Sequence, residues 1–125
     1  MSNIVEAFEN IINELKSDLG EGFVATDIWH SKDAQSLAGY NSQPKAVALF
    51  NEVTRILDKI LKGSKYPGLG EYYLVKLENN YIVIIVIAGE FQQVLVVDLS
   101  KVTMGLIMSV VVPKLQEQLN QIAVK

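Results

Sequence analysis

The sequence predicts one α/β domain over residues 1–125, an α+β sandwich in the order α-β-β-α-β-β-β-α. Its five-stranded, mainly antiparallel sheet is expected to carry helices on both faces. Three observations lead there. The run YIVIIVIAGEFQQVLVVDL, 81–99, is apolar at odd and even positions alike, so both faces of its strands need cover. Three segments repeat apolar residues at helical spacing. Short turn-forming clusters, rather than long crossovers, join most of the strands.

The first helix is predicted from Asn3 to Leu19. Ile4, Phe8, Ile11, Ile12, Leu15 and Leu19 form one stripe, Asn3 and Glu6 are spaced as a capping box, and Gly20 suits a left-handed stop. Two strands follow, Phe23 to His30 and Gln35 to Asn41, with Ser31-Lys32-Asp33-Ala34 as the turn between them. The second strand is short and polar and contains Gly39, which places it at a sheet edge. Pro44 opens the second helix, where its missing N–H costs nothing, and Gly63 closes it after Lys62. SKYPGLG, 64–70, is a loop. The third strand, Glu71 to Glu78, ends in Asn79-Asn80, residues that tolerate the positive φ of a tight hairpin. Gly89-Glu90 suits a type II′ turn between the last two strands. The final helix, about 102–122, contains Pro113, which removes a bond to the Ser109 carbonyl and should kink the axis.

Half of the residues are hydrophobic, enough for a sizeable core, and the formal net charge of −3 argues against nucleic acid. Lys59, Lys62 and Lys65 make the one locally basic segment, and it falls at a helix end where cations offset free carbonyls. The chain has no cysteine, which fits a reducing, cytoplasmic setting and excludes thiolate chemistry. The acidic N-terminal stretch MSNIVEAFENII reads as a helix and not as a signal peptide. A membrane-spanning helix needs ~20 consecutive apolar residues. Gly89-Glu90 splits the most apolar run into halves too short for that, so no membrane insertion is expected.

Leaving one face of the central strands wet would forgo roughly 1.5–3 kcal/mol per large aliphatic side chain. The first and last helices can share one face, which leaves the second helix alone on the other. That helix is narrow cover, yet its own apolar arc runs from Ala46 through Val47, Leu49, Phe50, Val53, Ile56, Leu57, Ile60 and Leu61. This arc is wider than the stripe one sheet requires. A second copy of the chain relieves both problems. Two such helices would lie side by side over two sheets joined at the third strand, whose EYYLVKLE has few edge-protecting charges. The predicted interface is Val47, Leu49, Glu52, Val53, Ile56, Lys59 and Ile60 on the helix, with Tyr72, Tyr73, Leu74 and Val75 on the strand.

This order, with a two-faced helix and a joining edge strand, resembles the roadblock (dynein light-chain roadblock) family over nearly the whole chain, Asn3 to about Ile122. DIWHSKDAQSLAGYN, 27–41, is similar to the family's strand, Asp-Gly turn and short second strand. Asp33 matches and Ala34 departs, and alanine resists the positive φ that glycine would accept there. GEYYLVKLENNYIVIIVIAGEFQQVLVVDL resembles the family's three-strand meander, and TMGLIMS, 103–109, the start of its last helix. The resemblance implies a homodimeric α/β/α sandwich with a regulatory or scaffolding role, commonly on Ras-like small GTPases. Some single-domain bacterial and archaeal members act by repositioning the GTPase's switch loops. A structural scaffold without GTPase contact, or a small-molecule sensor, is the alternative.

No residue set points to catalysis, and no metal or cofactor is expected. His30 has Asp27, Ser31 and Asp33 nearby, but their directions on a strand and turn differ, so a strand-end surface histidine is expected. Trp29 should pack in the core on the strand face of Phe23, Ala25 and Asp27. GSKYPGLG lacks the Lys-Ser/Thr ending of a phosphate loop and leads into a strand. Met104, Leu106, Ile107 and Met108 should pack against the first helix.

Overall fold

The computed structural model describes residues 2–123. Helix α1 (Ser2–Leu19) leads through a short 3₁₀ turn, Gly20–Gly22, into β1 (Phe23–His30) and β2 (Ser36–Tyr40). Helix α2 (Pro44–Lys62) follows, then β3 (Tyr72–Lys76), β4 (Tyr81–Ala88) and β5 (Phe91–Asp98). The last helix, α3, runs over 104–123. The sheet order is β2-β1-β5-β4-β3, and every neighbouring pair is antiparallel. The predicted element order is the observed one.

Both faces of the sheet are covered. Phe8, Ile12 and Leu15 of α1 and Val111, Leu115 and Leu119 of α3 bury against Ile28, Ile82, Ile84, Val86, Leu95 and Val97. On the opposite face Val47 of α2 packs with Trp29, Val83, Ile85 and Val94, with Phe50, Tyr73, Ile87 and Val96 half-buried around them. The second cluster is much the smaller, so α2 leaves part of its face open.

The turns follow local chemistry. Asn79 and Asn80 take φ of 59° and 67°, the pair of left-handed residues a type I′ hairpin needs. Gly89 takes φ of 60° while Glu90 does not, the pattern of a type II′ turn. Gly20 closes α1 at φ 53°. Ala34 also sits at φ 53°, with its N–H and that of Asp33 donating to the His30 carbonyl. An alanine held there stores about 1 kcal/mol of strain.

Three details differ from the sequence reading. Asn3 lies inside α1, which is already helical at Ser2, so it is not the residue preceding the helix. Phe23 does not share a face with Trp29: Phe23 pairs Val97 and Ala25 pairs Val96, so Val24 is an extra residue and the strand reverses its faces there. Phe23 therefore joins the α1 side and stacks on Tyr40 at 4.8 Å. The disturbance at Pro113 takes the form of a π-helical turn, Ile107–Val111, in which the Val112 N–H reaches back to the Ile107 carbonyl. This wider winding lies directly ahead of a ring that would otherwise press on the Ser109 carbonyl.

Candidate functional site

Helix α2 crosses the sheet from β1 towards β3, and polar contacts fix it at its start and midway along. Asp27 on β1 is 1% exposed, and its carboxylate accepts from Ser36 Oγ (2.6 Å), Ser42 Oγ and the Gln43 N–H (3.0 Å) at the start of the helix. A buried carboxylate with this many donors is a latch, and those bonds leave it no role with His30. Further along, Trp29 Nε1 donates to Asn51 Oδ1 at 2.9 Å. Towards β3, Thr54 Oγ1 and the Tyr73 hydroxyl share a 2.8 Å hydrogen bond beneath the helix. Burial raises the Tyr73 pKa, with the Thr54 bond pulling the other way, so the phenol stays neutral near neutral pH.

With the sheet-facing side set by Val47 and Thr54, the rest of the helix divides into two flanks. Leu49, Val53, Ile56 and Ile60 form an i, i+4, i+7, i+11 stripe. Leu49, Ile56 and Ile60 are 56%, 42% and 63% exposed. Beside that part of the helix an apolar groove of about 350 Å³ opens over the sheet, lined by Leu49, Phe50, Leu77, Val83, Val94 and Val96. The next edge is β3, which among the described residues pairs only with β4; Tyr73 and Val75 face the α2 side, Tyr72 and Leu74 the other. Tyr72 and Val75 are exposed, Tyr73 and Leu74 half-buried. Glu52 and Lys59 lie on the outer surface of the helix. Glu52 holds Arg55 at 2.7 Å, and that hydrogen bond lowers the Glu52 pKa and raises that of Arg55. Val47 is wholly buried in its own chain and supports the surface from beneath.

The other flank is Asn51, Arg55, Asp58 and Lys62, a second stripe of the same spacing. It borders a cleft of about 450 Å³ whose remaining walls are Ser31, Thr54, Leu69, Gly70, Ile87 and Gln92. Sequence reading passed over Gln92 and Asn51. Their meeting on facing elements is a tertiary fact, although two glutamines in the middle of an otherwise apolar hairpin were a visible signal.

The remaining candidates lie elsewhere. His30 Nδ1 accepts from the Lys32 N–H, and Nε2 sits 3.3 Å from Glu90. Ile107 is buried in the α1-side core, with Leu106 and Met108 half-buried against that core and Met104 exposed. Among the described residues no group of three or more His, Cys, Asp or Glu side chains is placed to hold a metal. Among them, too, no helix is long and apolar enough to cross a membrane.

No family model matches the chain, and no curated protein matches it. Solved structures do. MglB from Myxococcus xanthus superposes with a TM-score of 0.79 at 12% identity, covering 94% of this chain and 88% of that one. The gliding protein MglB of Thermus thermophilus gives a TM-score of 0.77 at 17% identity, with 97% and 91% covered. A Roadblock/LC7 domain from Streptomyces avermitilis gives 0.61 at 8% identity, with 88% and 94% covered. The chain has the roadblock fold. At these identities the likeness is one of architecture, and within the roadblock fold the α2–β3 surface is specified by this chain's own residues.

Proposed function

We propose that the protein is a non-enzymatic homodimeric regulator that joins its copies through α2 and β3 and binds a Ras-like small GTPase. The observation that carries the dimer is the apolar stripe of Leu49, Val53, Ile56 and Ile60 beside an open apolar groove. Single exposed aliphatics need no explanation, but a whole stripe alongside a groove of matching character does. A second α2 laid antiparallel would bring its own stripe into the groove, and the two β3 edges would pair across the two-fold axis. Each large aliphatic so covered contributes roughly 1.5–3 kcal/mol. The GTPase rests on the family resemblance and on the shared fold with proteins described as MglB and gliding protein. The mode of action expected is positional, through contact with switch loops.

The test has two readouts. Sedimentation should give a dimer at micromolar concentration, and a monomer there would reject the arrangement. Nucleotide release and hydrolysis by the GTPase encoded nearest to this protein should change when the protein is added. A dimer that binds no candidate GTPase and alters no rate would instead be a structural scaffold.

A further inference from the structure

We propose that the polar cleft on the far flank of α2 is a binding site for a small, uncharged, amide-bearing molecule. The inference is independent of the dimer, because the cleft-lining stripe lies about 200° around the helix from the apolar one, on its opposite side. The argument starts from Gln92. The residue is 6% exposed, its side chain projects from β5 beneath α2, and no group among the described residues donates to its Oε1. A buried acceptor without a donor costs about 1–3 kcal/mol. Its Nε2 is already turned towards Asn51 Oδ1, at 3.4 Å, and that oxygen also accepts from Trp29. Rotating the amide would set oxygen against oxygen, so the network holds Oε1 as the acceptor. Asn51 Nδ2 gives one N–H to the Ser31 carbonyl at 3.0 Å and has a second to offer. Gln92 and Asn51 thus set an acceptor next to a donor at the inner end of the cleft, where Gln92 Oε1 is all but covered and a ligand reaches it by a small shift of the side chain; the pair is the complement of an amide or of a nucleobase edge.

Charge selects within that class. Arg55 spends Nε and one Nη on Glu52, and Lys62 pairs Asp58 at 2.9 Å. The cations at the mouth are therefore matched, and an anion would have to break these pairs. The cleft is also built rather than incidental. Asp58 accepts from the Leu69 N–H at 3.1 Å, which pins the 63–71 loop as one wall, and Asn51 holds Ser31 as the opposite one. Its volume of about 450 Å³ suits a small molecule, and half-buried Ile87 supplies an apolar floor.

The test uses the full chain and two neutral probes, uracil and N-acetylglycinamide, with inorganic phosphate as the charged comparison. Side-chain amide NMR signals of Gln92 and Asn51 should move saturably with at least one neutral probe at up to about 5 mM, a concentration that detects affinities near millimolar. Gln92→Leu should weaken that binding about tenfold or more. Should that variant fold poorly, Gly70→Trp is the second: a Cβ added there meets nothing within 4 Å, and the indole would occupy the mouth. It should block the probes and leave the oligomeric state alone. The proposal is overturned by absence of saturable shifts with both neutral probes, which would make the cleft a hydrated recess. Binding of phosphate alone, or binding that survives both variants, overturns it as well.

Discussion

The two flanks of α2 have the same spacing and opposite chemistry. Residues 49, 53, 56 and 60 are Leu, Val, Ile and Ile; residues 51, 55, 58 and 62 are Asn, Arg, Asp and Lys. One flank borders an apolar groove and the other a polar cleft, and the sheet beneath changes to match, from Val83, Val94 and Val96 to Ile87 and Gln92. An amphipathic helix ordinarily has a buried side and a wet side. Here a third side faces the sheet, so the exposed surface is itself divided. The division suggests two separable roles, assembly on one flank and recognition on the other, each breakable without the other.

The largest expected effect is on the apolar flank. Ile60→Asp or Leu49→Asp should convert the proposed dimer to monomer, weakening association more than about a hundredfold, because a charge would be buried in the proposed seam without a partner. Both side chains are more than half exposed in the single chain, so the monomer should stay folded. Sedimentation with circular dichroism separates the two effects. A variant that still dimerises would move the interface off this flank.

Next is the contact that seats α2 on β3. Tyr73→Phe removes the 2.8 Å bond to Thr54 and leaves packing intact. It should cost about 0.5–1.5 kcal/mol in denaturant unfolding, the ordinary range for one hydrogen bond. Lack of any loss would mean that Thr54, which also donates to the Phe50 carbonyl, needs no second partner.

The polar flank has its own pH dependence. Hydrogen bonds from Lys62 and then from the Leu69 N–H hold the Asp58 carboxyl below its ordinary value. A depressed carboxylate stabilises the fold above its unfolded pKa and loses that contribution as pH falls through the folded one. The 63–71 loop should therefore loosen only in acid, below about pH 4, the ordinary carboxylate range. Hydrogen exchange at the Leu69 amide should report it, and Asp58→Ala, which removes the acceptor altogether, should give the loosened loop at neutral pH. Unchanged Leu69 protection in that variant would show the wall to be held by something else.

Much of this was legible in the chain itself. The helices came from periodicity, the hairpins from Asn79-Asn80 and Gly89-Glu90, and the apolar flank from an arc too wide for one sheet. What stayed hidden has physical causes. Alternation assumes an unbroken pleat, so the extra Val24 put Phe23 on the wrong face. A proline forecasts trouble in a helix but not which remedy the backbone adopts, here a π turn. The polar cleft joins Asn51 to Gln92, 41 residues apart, and no local spacing encodes that contact.

The smallest expected effect tests whether the flanks are as separate as they look. Ala34 holds φ of 53° in the turn that follows Ser31, a wall of the polar cleft, and it contributes nothing to the apolar flank. Glycine accepts that conformation freely but loses more chain entropy on folding, so the two terms partly cancel. Ala34→Gly should leave a net gain of no more than about 0.5 kcal/mol, a rise of at most roughly 2–3 °C in Tm for a chain of this size. Because the turn relaxes without moving α2, the dimer dissociation constant should be unchanged. A shift in dimerisation with this substitution would mean that strain at the β1–β2 turn is transmitted across the helix, and the two flanks would have to be treated as one coupled surface.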